Sequence, residues 1–319
     1  MPAFILYLVL SCLTCLVMIN VPSLIFIFAL IWGVFLILIG LETNKLKLSA
    51  AFALNILLIW AGSGSSTILI YAFFVGLPAL VMGYIITETN RGYYDVLKAG
   101  LATAIITGVL LIGFIYIDTD TAKQFNTKID NYIKANLESY ERSGIFELYD
   151  QQGIEKSQIE ASFYKTAQAI VKHLPALYLL QAILLIVFTL YFASRLARYR
   201  GIHRLDKLPF TCEMMPWQIA WLVIGGLLFW LMGESGSNLQ LVGSNVLTVL
   251  APISAFFGLS VIAYKLNLLK PSSKRRGILI LVILIIFLTI PAFIFLALLG
   301  LFDSLLDYRK LRTDKEVPL

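Results

Sequence analysis

The sequence predicts an all-α protein, a polytopic membrane bundle of about eight or nine transmembrane helices with an amphipathic helical pair outside the membrane. Of its 319 residues, 59% are hydrophobic and the mean hydropathy is +0.86. Apolar runs recur at the length of about 20 residues that crosses a bilayer. Because these runs do not alternate polar and apolar residues, they are helices rather than strands of a membrane barrel.

Nine apolar segments are long enough to be membrane spans, and their interiors contain no Asp, Glu, Lys or Arg. A charge inside the bilayer is costly and usually marks a path for ions or protons. The sequence therefore argues against autonomous proton-driven transport. The predicted spans are 3–19, 22–41, 46–61, 67–87, 97–117, 174–194, 217–233, 240–264 and 277–302.

The loop charges predict an orientation. Fourteen Lys and Arg lie in four connections, whereas the short connections that alternate with them carry none. By the positive-inside rule, the basic connections and the N-terminus are predicted to be cytoplasmic. The basic connections are 42–47, 88–98, 195–207 and 265–276, and the others are 20–23, 61–66 and 234–239.

The positive charge of the C-terminal tail conflicts with nine full crossings of the membrane. An odd number of spans would leave the C-terminus outside, yet the tail is basic at Arg309, Lys310, Arg312 and Lys315. Pro291 interrupts the last apolar stretch, which could therefore be a re-entrant or broken pair that returns the tail inside. The side of the C-terminus stays open at this stage.

Polarity divides the chain into three predicted parts: 1–117 with about five spans, 118–173 as an extracytoplasmic helical insertion, and 174–319 with about four spans and basic cytoplasmic loops. The insertion holds nine acidic and seven basic residues. Gly144 and Gly153 bracket a turn between its two helices, and Ser157 and Glu160 have the spacing of a capping box. Its apolar side chains recur at helical spacing at Phe125, Ile129, Ile133, Leu137 and Tyr140, and at Ile159, Phe163, Ala167 and Ile170.

The insertion has two interpretations. A helical cap that packs on itself or on the spans is one, and a lid or a docking site for an extracytoplasmic partner is the other. Stripes at this spacing usually serve packing.

Neutral polar residues inside the spans are the predicted ligand-binding positions: Asn55, Gln181, Asn245 and Thr248. An amide in hydrocarbon needs a hydrogen-bonding partner, which either another helix or a ligand can supply. Thr248 belongs to a face of small residues that ends at Gly258, and such faces more often let helices approach closely than line a cavity. Pro78 predicts a kink in the fourth span.

The densest basic stretch is a predicted docking surface for anionic lipid head groups or for a cytoplasmic or membrane protein partner. It comprises Arg195, Arg198, Arg200, Arg204 and Lys207.

No pattern predicts catalysis, a metal site, a cofactor or nucleic-acid binding. The two histidines and three cysteines lack the spacing of a zinc site. Cys12 and Cys15 form a C-x-x-C inside the apolar first span, where a structural role is expected because redox chemistry needs an exposed thiolate. Asp303 and Asp307 could share a cation, but the adjacent Arg309 favours surface ion pairing. The oligomeric state is left open.

Several stretches resemble the YybS-type family of bacterial multi-pass membrane proteins. They are 77–84, 204–210 with Pro216 and Trp217, 243–245, and the tail 299–303 with Asp307, Arg309 and Lys310. The resemblance spans nearly the whole chain and implies a protein of the bacterial cytoplasmic membrane. The family is of unknown function, so it implies no catalytic residue.

Two functions fit this sequence. The first is a small-solute-binding membrane subunit that resembles the substrate-capture components of energy-coupling-factor transporters, with the basic stretch docking an energising partner. The alternative is a non-transport envelope scaffold or regulatory protein, in which the amides tie helices together and the outer pair recruits partners. The absence of charged residues from the spans does little to distinguish between these two functions.

Overall fold

The computed structural model describes residues 3–63, 71–88, 91–117, 119–151, 153 and 155–311. These residues form helices and connecting turns without a strand, so the predicted helical membrane bundle is confirmed. The helices are α1 (Ala3–Asn20), α2 (Ile25–Glu42), α3 (Lys45–Ser63), α4 (Leu77–Ile86), α5 (Tyr93–Ile117), α6 (Thr119–Arg142), α7 (Ile145–Asp150), α8 (Lys156–Tyr199), α9 (Trp217–Met232), α10 (Asn238–Asn267), α11 (Pro271–Phe287) and α12 (Thr289–Leu306).

Each of the nine predicted apolar segments corresponds to helical structure in the described residues. Within them, seven helices are long and apolar enough to cross a membrane, namely α1, α2, α3, α5, α8, α10 and α12. Two shorter apolar helices lie at Ala72–Ile86 and Trp217–Met232. The glycine- and serine-rich connection after Gly62 lies outside the described residues from 64 onwards.

The chain divides into two compact units, Met1–Lys207 and Leu208–Leu319. This boundary separates regions that make most of their contacts within themselves. The predicted parts 1–117, 118–173 and 174–319 are instead defined by the polarity of the sequence. The insertion therefore belongs to the first compact unit, and the three-part division stays a prediction about which parts enter the membrane.

Helix α2 is the centre of the first unit. It is apolar all round and packs against α1, α3, α4 and α8, as expected of a helix surrounded by others. Trp32 is fully buried and stacks on Phe52, with ring centroids 6.2 Å apart. A Cβ on Gly40 would lie 2.6 Å from the carbonyl oxygen of Gly83, so a glycine is needed where α2 and α4 meet.

The kink predicted at Pro78 takes the form of a π-helical turn. The π-helix Ala72–Gly76 directly precedes α4, in which Pro78 occupies the first turn. The Leu77 N–H donates to the carbonyl oxygen of Ala72, five residues back, so the turn is widened directly before the proline, which has no N–H to donate. The wider turn thus accommodates the missing N–H.

Helix α8 is one continuous helix of 44 residues, about 66 Å long at 1.5 Å per residue. The sequence predicts two elements here, an outer helix and a separate span that begins at residue 174. They are joined without a break, although Pro175 lies inside the helix. The polar and apolar halves are both good helix formers, so polarity alone does not mark a boundary in the backbone.

The amphipathic pair is a helical stalk, which we define as α6, α7 and residues 156–173 of α8. Tyr140 packs on Phe163 with ring centroids 5.3 Å apart, and Lys156 pairs with Glu141 at 2.7 Å. Ile133 and Phe146 are also buried, and Lys156 lies 5.2 Å from the centre of the Phe146 ring. The side chains of Phe125 and Ile129 lie outside the described residues.

The turn in the stalk is as predicted, but the capping box is not. Gly144 and Gly153 adopt positive φ values of 69° and 76°, which favour glycine. The second helix begins at Lys156, and its N-cap residue Glu155 accepts a hydrogen bond from the Ser157 hydroxyl. Ser157 is therefore inside the helix rather than at its cap.

In the second unit, α9, α10 and α12 pack together through glycines. A Cβ on Gly258 of α10 would overlap the carbonyl oxygen of Leu296, and one on Gly300 of α12 would overlap that of Ser254. The two backbones are therefore in direct contact, which small residues at a helix crossing permit. The face of small residues on α10 serves this approach.

The last predicted span, 277–302, is two helices, α11 and α12, which break at Leu288. The break lies three residues before Pro291, which places the proline in the first turn of α12, where its missing N–H costs nothing. The structure therefore has the broken pair of helices that the sequence allows for this stretch.

Candidate functional site

Asn55 is fully buried and its amide joins α3 to α1. Its Nδ2 donates to the Ser11 hydroxyl at 3.1 Å, and its Oδ1 accepts from the Cys12 thiol at 3.4 Å. Oδ1 also lies 3.3 Å from the Ser11 hydroxyl oxygen. Both ends of the amide thus have partners within the protein, and C-x-x-C serves the packing of α1.

Gln181 has a different environment. It is half-buried in a groove of about 430 Å³ between α2 and α8, and no other described residue hydrogen-bonds to its amide. The rest of the lining is apolar and consists of Phe26, Ile27, Leu30, Leu177, Leu180, Leu184, Leu185 and Phe188. The groove is open and leaves the amide available to a molecule that enters it.

Asn245 and Thr248 lie in the second unit on α10. Asn245 Nδ2 donates to the carbonyl oxygen of Leu241 at 2.9 Å, and the Thr248 hydroxyl donates to that of Ser244 at 2.8 Å. These bonds remain within their own helix. Asn55 and Gln181 belong to different helices of the first unit, so ligand binding by the four predicted residues stays a prediction.

The basic stretch is tied to the first unit through Arg200. Its Nη1 donates to Glu42 at 3.0 Å, and the same carboxylate accepts from the Tyr7 hydroxyl at 3.0 Å. The guanidinium also lies 4.9 Å from the centre of the Tyr7 ring, within range of a cation–π contact. Arg200 therefore clamps the end of α8 to α1 and α2.

The other residues of the basic stretch differ in their availability. Arg204 Nη2 donates to the carbonyl oxygen of Ile86 at the end of α4, and burial lowers the pKa of Arg204. A cation is favourable at this helix end. Lys207 is half-buried, whereas Arg195 is exposed. Internal contacts thus engage much of the predicted docking surface, whose role in binding lipid or a partner stays a prediction.

Asp206 stabilises the loop after α8, and its carboxyl should titrate below the usual pH range of an aspartate. Arg198 Nε donates to its carboxylate at 2.8 Å and His203 lies 3.3 Å away, and together they lower the pKa of Asp206. A lowered pKa in the folded state means that the contact stabilises the loop above the unfolded pKa of about 3.9 and is lost as pH falls through the lowered value.

We expect Arg198→Gln to raise the pKa of Asp206, because the largest cause of its lowering is removed. The measurement is a pH titration of the ¹³C-labelled Asp206 carboxyl by NMR. Equal midpoints in the parent protein and the variant would contradict this assignment.

The densest polar cluster of the second unit surrounds Arg309, which is 4% exposed. Its guanidinium pairs with Asp303 at 2.7 Å, donates to the Ser260 hydroxyl at 2.8 Å, and donates to the carbonyl oxygens of Thr211 and Glu213, each at 2.7 Å. We name Asp303, Arg309, Ser260 and the carbonyl groups of Thr211 and Glu213 the tail cluster. Each nitrogen of the guanidinium is engaged, so the cluster has little capacity for a ligand.

The turn after α12 creates this cluster. Asp307 adopts a left-handed conformation at φ 46°, and the chain reverses so that Arg309 folds back onto Asp303. Aspartate tolerates that conformation better than most residues. The prediction of an ion pair near Asp303 is right, but the expected position at the surface is wrong because the reversal buries both partners.

The tail cluster also shows where the chain after α12 lies within the second unit. The chain after α12 contacts residues 211 and 213, which precede α9 and follow the basic loop at 195–207. The end of α12 and the start of α9 therefore lie at the same end of the second unit. Arg312 and Lys315 lie outside the described residues.

Comparison with known families gives one match. The family described as "Predicted membrane protein (DUF2232)" matches residues 8–304, which is most of the chain. The chain belongs to this family. The match confirms the predicted membership of an uncharacterised membrane family and leaves its reaction, if there is one, unassigned. No curated protein and no solved structure matches the chain.

Residues of the C-terminal tail and of the segment just before Pro216 meet in the second unit. The tail 299–303, Arg309 and the segment just before Pro216 all contribute to the tail cluster or its surroundings, where Ser304 also donates to the carbonyl oxygen of Met215 at 2.8 Å. In the part of the chain that the structure describes, no group of three or more His, Cys, Asp and Glu is placed to hold a metal ion.

Proposed function

We propose that this protein is a non-transport membrane scaffold that recruits a protein partner through its stalk. One observation carries the proposal: Asn55 in the apolar helix α3 and Arg309 in the tail cluster have their side-chain partners within the protein. Asn55 bonds Ser11 across two helices, and Arg309 bonds Asp303 and Ser260. Hydrogen bonds of this kind hold membrane helices together, whereas a solute site would keep such groups available.

The stalk is the surface that a partner could use. Residues 156–173 of α8 continue without a break into the apolar part of that helix, which connects the stalk directly to the helices of the first unit. Tyr132 is 72% exposed on α6, although its neighbour Ile133 is buried. Exposed tyrosines often anchor protein interfaces. We further propose that the stalk faces outward from a bacterial cytoplasmic membrane and that the N-terminus is cytoplasmic, as the loop charges favour.

A second candidate function is small-solute binding, which Gln181 favours. An amide to which no described residue hydrogen-bonds, in an otherwise apolar groove, could select a small and largely neutral compound by hydrogen bonding. In that case Gln181, rather than Asn55, would be the residue that recognises it.

Native mass spectrometry on full-length protein, extracted together with its own membrane, separates the two functions. A scaffold should carry a protein partner in a fixed ratio. Tyr132→Ala should remove that partner, whereas Tyr199→Ala, which alters an exposed tyrosine at the other end of the first unit, should not. Gln181→Leu should have no effect on it.

The opposite result would be a small molecule that is bound to the parent protein and absent from Gln181→Leu, without any protein partner. That result would contradict the scaffold and support solute binding. Thermal unfolding with and without the molecule would then quantify its stabilisation.

A further inference from the structure

The stalk carries a groove that the scaffold function does not use. It lies between α7 and the start of α8 and has a volume of about 460 Å³. Its lining is Tyr149, Gln158, Ile159, Ser162, Phe163 and Thr166. The volume falls in the usual range for small-molecule sites, about 300–1,000 Å³.

The polar side chains of the groove are neutral and regularly spaced. Gln158, Ser162 and Thr166 follow one another at four-residue intervals, so their side chains form a line along one face of α8. Amide and hydroxyl groups can both donate and accept hydrogen bonds. Within the described residues, the side chains of these three and the Tyr149 hydroxyl have no hydrogen-bonding partner.

The apolar part of the groove has a fixed base. Ile159 and Phe163 are half-buried, and Phe163 is held by Tyr140 on α6. Phe146 and Ile133 of the stalk are also buried. The groove therefore combines an aromatic and an aliphatic wall with a row of neutral hydrogen-bonding groups.

We propose that this groove binds a neutral saccharide. A sugar ring presents C–H groups on its face, which suit the electron-rich face of an aromatic ring, and hydroxyl groups at its edge, which suit amide and hydroxyl partners. Among the described side chains that line the groove none is charged, so none of these would select an ionic ligand.

A peptide fits the groove less well. Extended peptides gain affinity by pairing their backbone with a sheet edge, and the described part of the stalk is helical, with its backbone groups in their own helices. A helical peptide would need a long apolar groove, and this one has only two apolar residues on α8. The saccharide proposal does not depend on the scaffold function.

The test is isothermal titration of the full-length protein in lipid nanodiscs, which avoids detergents with sugar head groups. The probes are cellotetraose, chitotetraose and an uncharged alanine–serine nonapeptide. We expect at least one tetrasaccharide to bind with a Kd of about 1 mM or below. Gln158→Ala with Ser162→Ala should weaken that binding about tenfold, because two hydrogen bonds are lost.

Gln168→Ala is the matched control, since Gln168 is exposed on the same helix but does not line the groove. It should change Kd less than about twofold. Circular dichroism of each variant checks that the helices are intact. No binding of either tetrasaccharide, equal weakening by the control, or tighter binding of the nonapeptide would overturn the proposal. None of these results alters whether Tyr132→Ala releases a protein partner, so failure of this inference is distinguishable from failure of the scaffold.

Discussion

Arg309→Met should lower the free energy of unfolding by about 3–5 kcal/mol, the range found when one partner of a buried ion pair is removed. Asp303 would remain buried without its counter-charge, since its side chain is 2% exposed and lies 2.7 Å from Arg309. The carbonyl oxygens of Thr211 and Glu213 would lose donors in the same substitution. The measurement is reversible unfolding in mixed micelles at neutral pH.

Two control variants show whether the loss of stability comes from leaving a buried charge unpaired. Arg142→Met removes an exposed partner of Glu138, in a pair whose side chains are 77% and 69% exposed, and should cost at most about 0.5 kcal/mol. Arg309→Met combined with Asp303→Leu removes both charges and should be more stable than Arg309→Met alone, because no charge stays buried unpaired. Equal losses in Arg309→Met and Arg142→Met would contradict the buried position of the tail cluster.

Gly258→Ala should destabilise the second unit by about 3 kcal/mol, the upper end of the usual cost of overpacking. The added methyl group would overlap the carbonyl oxygen and carbon of Leu296, which are backbone atoms and cannot turn away as a side chain could. Helices α10 and α12 would have to separate along their contact. Unfolding in mixed micelles measures the effect.

Gly225→Ala is the matched control in the same unit. Its added Cβ would have no atom within 4 Å, and it lies inside helix α9. We expect it to be neutral or to stabilise by up to about 1 kcal/mol, because alanine is the better helix former. A loss in Gly225→Ala as large as that in Gly258→Ala would mean that the glycine crossing is not the cause.

The sequence predicts the helices well because membrane spans are defined by local composition. Pro291 marks the break in the last apolar stretch to within three residues, since proline acts locally. The continuity of α8 is not predictable in this way. A change from polar to apolar residues marks where a helix meets the membrane, and the backbone can continue through it unchanged.

The polar contacts depend on distant parts of the chain. Asn55 is recognisable as a buried amide, but its partner Ser11 lies 44 residues away on another helix. Arg309 resembles a surface residue because it follows the last helix, and only the reversal at Asp307 buries it. The signal that could have indicated this cluster is the distinctive tail itself, with Asp303 and Arg309 six residues apart around a turn.

A double-mutant cycle between Ser11 and Asn55 tests most directly whether the polar side chains of the spans are internal ties. Ser11→Ala, Asn55→Leu and the double variant are unfolded in mixed micelles beside the parent protein. We expect a coupling energy of about 0.5–2 kcal/mol, as for hydrogen bonds between membrane helices. Ser11→Ala with Gln181→Leu should instead be additive, because Ser11 and Gln181 share no contact. Additive effects of Ser11→Ala and Asn55→Leu would contradict the assignment of Asn55 as an internal tie between α1 and α3.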